Sequence, residues 1–419
     1  MVINGHKVNI CIRCFICDSP ARAYIKGVTY FNGKHGCLKC TVIGEYISNC
    51  TVFLRTDCAR RTNEGFRKRM YDLHHKCTSP LEKLPIDMIE DVPIGDSLHL
   101  IDLGVVKKCL TGWTNGDFKG TEIRFSGKDI NLITNKLISM KMPKEIHRTV
   151  RGLDCLSYWK GTEYRTFLLY LGIVVLKDHL RYDAYEHFLA FFCAITICYV
   201  DEYRYFLPLA RNLLEYYIEK YVELYKISSI TSNVHNLCHL VDEVEIFGNL
   251  GTFNSYPFEN LLQSIKNMLR TGSHPLAQVA KRIGELNKVN KYEMEKSDGA
   301  PVLKKPNKDG TFNSITLKNY LLGHEIQNRW FLTRNNEICG LEKICFRNNN
   351  ITIRAVSLKK KDDFFLTPIK SSLLSIYFSN CEENPASFYE LKDIKCKLVA
   401  VPYNNDGLVF IPLIHTIGN

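Results

Sequence analysis

The sequence predicts three successive kinds of structure: an α/β segment, an all-α insertion and a small all-β domain. Three observations point there. The chain opens on a β-branched, cysteine-rich run, KVNICIRCFICD, which ends in SPARAYIKG, a turn followed by a short helix. Its middle carries long apolar runs at helical spacing. Beyond a charged, Pro- and Gly-bearing stretch, short alternating runs are punctuated by Asn, Gly and Pro.

Each element follows from its residues. Residues 7–18 read as a strand that ends at Asp18, and Pro20 sits near the first position of the helix after it. A Gly-rich loop, FNGKHG, leads to Cys37 and Cys40. Residues 55–76 are polar and basic and read as an exposed loop or short helices. Residues 85–110 look ordered, with a turn at 93–95 and a helix from Asp102 onward; residues 119–147 read as loops and short helices. FLLYLGIVVLKDHL, AYEHFLAFFCAITICYV and YFLPLARNLLEYYIEKYVELY read as packed helices, with Pro208 in the first turn of the last. A further helix spans 233–244 and is broken by Gly248 and Gly251, and another starts near Pro257. Residues 288–310 read as a linker. ICGLEKICF, NITIRAVSL, DFFLTPI, LLSIYF, CKLVAVPY and LVFIPLIH then predict a sandwich or barrel, with Trp330, Phe364 and Phe365 in its core.

Composition bounds the function. With 419 residues the chain can build two or three domains, and 45% hydrophobic and 24% charged residues are a globular balance. The net charge of +11 suits a polyanion partner but serves solubility equally well. Seventeen cysteines, an odd number, and no signal-peptide pattern argue for a reducing compartment. No run reaches the roughly 18 apolar residues of a membrane span.

The chemistry lies in residues far apart in sequence. Cys37 and Cys40 form a CxxC pair in GKHGCLKC, and His235 and His239 an HxxxH pair in SNVHNLCHLVDE. On a helix that second spacing puts both imidazoles on one face, and two Cys with two His can close a tetrahedral zinc site. Either pair alone has a plain reading, as a redox pair or as two packed histidines. Asp18, in CFICDSPARAY, suits a metal ligand at a strand end or a helix N-cap; Glu259, in YPFENLLQSIK, suits a metal ligand or a first-turn carboxylate. Asp96 and His99 form a DxxH that also reads as a turn aspartate and a packed histidine. Arg60, Arg61, Arg67, Lys68 and Arg69, with Lys266 and Arg270, are the candidates for phosphate contact, against a plain solvated face.

The order CDSPARAYIKG, CxxC, GDSLHLIDLGVVKKCL, FLLYLGIVVLKDHL and VHNLCHLVDEVEIFGNLGTFNSYPFENLLQSIKNMLR, over roughly residues 1–290, resembles the transposase of CACTA-type (En/Spm-like) DNA transposons of animal genomes. The wider clade includes the catalytic subunit of the V(D)J recombinase. The resemblance implies an RNase H-like core with an Asp-Asp-Glu triad, interrupted by a helical insertion. Asp18 would be the second aspartate and Glu259 the glutamate. Cys37, Cys40, His235 and His239 would share one structural zinc, and Asp96 and His99 would match a further recurring motif. It also implies DNA as partner, a homodimer, a nuclear location, and magnesium as the ion of DNA cleavage and strand transfer.

The expected organisation is a truncated RNase H-like core over 1–120, a helical insertion over 121–250, a return helix with the glutamate over 251–287, a linker over 288–310 and a β-rich domain over 311–419. Only 17 residues precede Asp18, so the first aspartate of the triad is absent from the sequence. Asp102 or Asp96 has no sequence feature that marks it as a substitute. Strand transfer is therefore not expected, and a DNA- or chromatin-binding scaffold is the alternative.

Overall fold

The computed structural model describes residues 2–3, 6–7, 11–118, 122–293, 300–347, 350–404 and 407–418. The chain forms two compact units. A helical unit comprises 1–141, 148–254 and 363–376; a β-rich unit comprises 142–147, 255–362 and 377–419.

The helical unit opens on a two-stranded ladder of β1 (Val2–Ile3) and β2 (His6–Lys7). The strand expected over 7–18 does not continue: residues 8–10 lie outside those described, and 11–18 carry no strand. Among the described residues no neighbouring strand offers them a ladder. They are anchored singly instead, by Phe15 N–H to Asp91 O at 2.8 Å and by the Arg13 guanidinium to Thr252 O at 2.9 Å. Strand propensity without a partner strand does not make a strand.

α1 (Ser19–Lys26) starts where Asp18 Oδ1 accepts the Ala21 N–H at 2.8 Å, with Pro20 in its first turn. It stops at Gly27, whose φ of 64° is left-handed. A Cβ there would meet Cys77 O at 2.6 Å, so only glycine fits. β3 (Glu45–Ile47) and β4 (Cys50–Val52) form a hairpin whose turn residues, Ser48 and Asn49, both have positive φ. The short α2 (Asn63–Arg67) follows, capped by Thr62.

The helix expected from Asp102 begins earlier. Asp96 accepts the N–H groups of Leu98 and His99, and a π-helical stretch, Ser97–Val106, runs straight into α3 (Lys107–Asn115). The insertion holds α4 (Gly127–Ser139), then α5 (Gly161–Thr166), which passes through a π turn, Phe167–Leu171, into α6 (Gly172–Val175). α7 (Tyr182–Tyr199) is buried on nearly every face, which is why its sequence is apolar all round. No helix among the described residues is long and apolar enough to cross a membrane. α8 (Leu207–Tyr225) presents Tyr217, Tyr221 and Tyr225, one turn apart, to α7. His187 of α7 stacks on Tyr217 at 4.0 Å between ring centroids, and burial pushes its pKa down to about 3, so it is a neutral core histidine. α9 (Ser232–His235), a 3₁₀ turn (Asn236–His239) and α10 (Leu240–Phe247) follow.

The β-rich unit's second segment opens on α11 (Tyr256–Asn267) and α12 (Pro275–Glu293). The linker expected over 288–310 is shorter. Helix continues to Glu293, residues 294–299 lie outside those described, and β5 starts at Val302. β5 (Val302–Pro306), β6 (Phe312–Leu317), β7 (Tyr320–Gly323), β8 (Trp330–Thr333), β9 (Ile338–Arg347), β10 (Asn350–Ser357), β11 (Asp362–Asp363), β12 (Tyr377–Ser379), β13 (Ser387–Glu390), β14 (Ile394–Tyr403) and β15 (Gly407–Pro412) form one eleven-stranded sheet. The order β12-β15-β14-β8-β9-β10-β13 is built of antiparallel neighbours, with β5-β6-β7 attached through β6 and β9.

Both faces of the central strands are covered. Trp330 and Leu332 pack with Ile338, Leu398 and Phe410, while Phe331 points the other way, to Ile315, Leu341 and Ile353. Phe364 and Phe365 are buried, but they belong to the helical unit, and the β-domain drawn over 311–419 is corrected accordingly. DFFLTPI supplies only the two-residue β11 before it leaves the sheet.

Candidate metal centre

The loop before β3 and the turn between α9 and α10 bring four donors together. Cys37 Sγ lies 3.4 Å from His239 Nε2, Cys40 Sγ 3.5 Å from His235 Nε2, and the two sulfurs are 3.5 Å apart. All four ligand atoms fall within 4.8 Å of one another, and all four residues are buried. A tetrahedral zinc ion with ordinary bond lengths needs ligand–ligand edges of about 3.4–3.8 Å. The donor set and its spacing fit that ion. No other group of three or more His, Cys, Asp or Glu side chains among the described residues could hold a metal.

The local backbone explains the convergence. The two histidines are not on one continuous α-helix, as the spacing predicts; His235 ends α9 and His239 ends the 3₁₀ turn after it. The tighter turn leaves the rings edge to face, 5.2 Å between centroids. On the other side, Cys40 bridges Arg60, and Arg61 N–H donates to Lys39 O at 2.8 Å, which fixes the CxxC loop. His235 Nδ1 is buried without a hydrogen-bond partner among the described residues, and Phe53 packs 5.6 Å from its ring. The ring is thus held by packing on one side and by the donor cluster on the other.

The thiols are electrostatically matched. Burial alone would raise both, yet the Cys40 thiol and the His235 ring hold Cys37 well below the ordinary thiol range. The hydrogen bond to Cys37 and burial push Cys40 up in turn. One thiolate and one thiol is the arrangement a metal would convert to two thiolates, releasing a proton. Cys238 also reaches the site, 3.5 Å from His239 Nε2, but burial keeps it a thiol and it lies outside the four-atom group.

Two residues that the sequence reading passed over brace the centre. Lys39, inside the CxxC, is buried and its Nζ lies 2.9 Å from Glu243 Oε1, four residues after His239. Glu243 also accepts the N–H groups of Ile94 and Gly95, at 2.8 and 2.6 Å. The only hint in the sequence was a charge within each metal-ligating motif.

Asp18 and Glu259 fall in different compact units, and each has its own surroundings. Asp18 serves as the N-cap of α1. Glu259 is exposed in the first turn of α11, a helix that buries none of its residues. Asp96 Oδ2 receives His99 Nδ1 at 2.5 Å, and Asp96 is itself the buried cap of the π-helical stretch. Asp102 is buried on that stretch.

Residues 295–413 match a family model described as a domain of unknown function (DUF8592). The match spans the eleven-stranded sheet and says nothing of the metal centre. No curated protein and no solved structure matched the chain.

The basic stretch expected to face phosphates is turned largely inward. Arg61 is buried, donates to Cys37 O at 3.1 Å and stacks over Tyr71. Arg67 donates to the carbonyls of Glu82 and Ile86 at 2.6 and 2.8 Å, and Arg69 pairs with Glu82 at 2.7 Å. Arg60 pairs with Asp242 of α10, and Lys68 pairs with Glu64 one turn away. Guanidinium forks that satisfy carbonyls and carboxylates are structural, which corrects the reading of Arg61, Arg67 and Arg69. Lys266 and Arg270 are exposed.

Proposed function

We propose that this chain is a transposase-derived protein of the DDE type, that one structural zinc fastens its scaffold, and that it binds DNA without carrying out strand transfer. The observation that supports this reading is the meeting of Cys37 and Cys40 with His235 and His239, across 195 and 202 residues, in the motif order of the CACTA resemblance. With all four ligand positions protein-derived, zinc would supply folding energy rather than activate water. The sequence order Asp18, CxxC, HxxxH, Glu259 is the order a DDE protein of this group would have. Asp18 spends its carboxylate on a helix cap, on a segment without strand, which favours a scaffold over a magnesium-dependent nuclease. The positive charge, the exposed Lys266 on α11 and the exposed Arg270 just beyond it favour a polyanion partner. A homodimer and a nuclear location belong to the same reading.

The test has three arms on one preparation. Elemental analysis should find about one zinc per chain, lost in the His235→Ala/His239→Ala double variant. Duplex-DNA affinity, read by fluorescence anisotropy, should fall steeply between about 50 and 200 mM salt. Supercoiled plasmid with magnesium should stay intact. A folded, zinc-free protein would overturn the clamp, salt-insensitive binding the DNA reading, and nicking that disappears in Glu259→Gln the non-catalytic assignment.

A further inference from the structure

We infer that a cleft on the helical unit binds a phosphate ester of nucleotide size. The cleft has a volume of about 720 Å³, and its lining includes none of the four metal-site donors. Pockets of roughly 300–1,000 Å³ are the size that takes cofactor-like ligands.

Its walls are unevenly charged. Lys107 and Lys108, at the start of α3, and Lys226, just after α8, all line it, against a single carboxylate, Asp117. None of the three lysines makes an ion pair among the described residues. Lys108 is the informative one. It is half-buried, its Nζ donates to Thr231 Oγ1 at 3.2 Å, and burial lowers its pKa with only Cys109 and Cys50 opposing. No carboxylate among the described residues pairs with it. Two other buried lysines show the contrast, Lys39 meeting Glu243 at 2.9 Å and Lys397 meeting Glu145 at 2.8 Å, whereas the unpaired Lys26 is not in the lining of this cleft. A desolvated ammonium without an ion-pair partner, in a cleft lined by three lysines and one carboxylate, gains most from an anionic ligand.

The backbone around Lys226 adds an independent sign. Lys226 has φ 114° and ψ 146°, outside the regions a lysine ordinarily adopts, and the 3₁₀ turn that follows, Ile227–Ser229, brings Ser228 and Ser229 to the same lining. Strained non-glycine residues gather at ligand clamps. Lysines with serine hydroxyls are phosphate-reading chemistry. Leu103 and Phe118 supply an apolar wall for the rest of the ester. Inorganic anions would leave that wall unused, which is why the assignment is to an ester.

The same chemistry is carried by a free nucleotide and by the end of a nucleic-acid strand. The test is calorimetric titration of the full, zinc-loaded chain at fixed ionic strength with ADP, pyrophosphate and a 5′-phosphorylated dinucleotide. The expected result is saturable binding of ADP or the dinucleotide, tighter than pyrophosphate and weakened roughly tenfold or more by Lys108→Met. The tighter of the two esters identifies the source. Should Lys108→Met misfold, Lys107→Gln/Lys226→Gln changes two exposed residues and must weaken binding likewise. No saturation by either ester, pyrophosphate binding as tightly as both, or affinity unchanged in the variants overturns the proposal. The cleft shares no residue with the zinc donors, so its failure and that of the zinc reading are separate results.

Discussion

Each of the two units fastens segments that are distant in sequence, and they do so by different chemistry. In the helical unit, Cys37 and His239 meet across 202 residues. In the β-rich unit, Lys397 and Glu145 meet across 252. The second junction is complete as it stands: Lys397 Nζ donates to Glu145 at 2.8 Å, Leu321 O at 2.7 Å and Asn328 Oδ1 at 2.8 Å. The first is a cluster of thiols and imidazoles whose mutual hydrogen bonds are weak ones, involving sulfur. On the zinc reading proposed above, its cohesion would rest on an ion, so the stability of that unit would be conditional on metal supply and that of the other would not.

Chelation is the strongest way to break this comparison. Removing the metal should cost the helical unit most of its stability, since structural zinc contributes on the order of 10 kcal/mol in small domains. Hydrogen exchange reads the outcome by region. With a strong chelator, amides of α9, α10 and residues 37–61 should lose protection while β8, β9 and β14 keep theirs. Equal loss in both regions, or none in either, would remove the distinction.

The reverse perturbation is smaller and acts on the other unit. Lys397→Met should destabilise the sheet by about 3 kcal/mol, because Glu145 and Asn328 lose the ammonium they were arranged around. Denaturant unfolding followed by Trp330 fluorescence would show it, with zinc content unchanged. A neutral effect would mean that an apolar side chain replaces the network without loss, as it does at some buried ion pairs.

How much of this was legible in the sequence depends on what each residue does for its neighbours. Helical periodicity marked α7 and α8 because their faces are set by packing alone. The four metal donors were legible because ligand chemistry restricts residue type and spacing. Lys39 and Glu243 were not, since a buried ion pair uses the same residues as a solvated surface. The basic run through Arg61 and Arg67 misled for the complementary reason: composition does not reveal which guanidinium groups turn inward to carbonyls. β5 was read as linker because it is a largely exposed strand, and its lysines, Lys304 and Lys305, are what such an edge carries. The expected strand before Asp18 failed on context, because pairing needs a partner that local propensity cannot supply.

A second buried lysine sharpens the contrast with Lys397, because it predicts the opposite sign. Lys26 is fully buried on α1 and its Nζ has no hydrogen-bond partner among the described residues; the Phe66 ring lies 5.3 Å away. Burial, with Lys39, Arg61 and Arg22 nearby, lowers its pKa from the ordinary 10.5 to about 7. Between those two values the unfolded chain holds the proton and the folded chain does not, so this group's contribution to stability rises with pH. Below about pH 7 both states are protonated and the full penalty of a buried ammonium remains. Lys26→Met should therefore stabilise the protein at pH 7, where Lys397→Met destabilises it. The gain should shrink by about 2 kcal/mol between pH 7 and pH 9 as wild-type Lys26 sheds its proton on folding. Groups common to both proteins cancel in the difference, which urea unfolding of the pair at the two pH values measures directly. A Met variant less stable than wild type at both pH values would mean that Lys26, like Lys397, is held by contacts worth more than its desolvation.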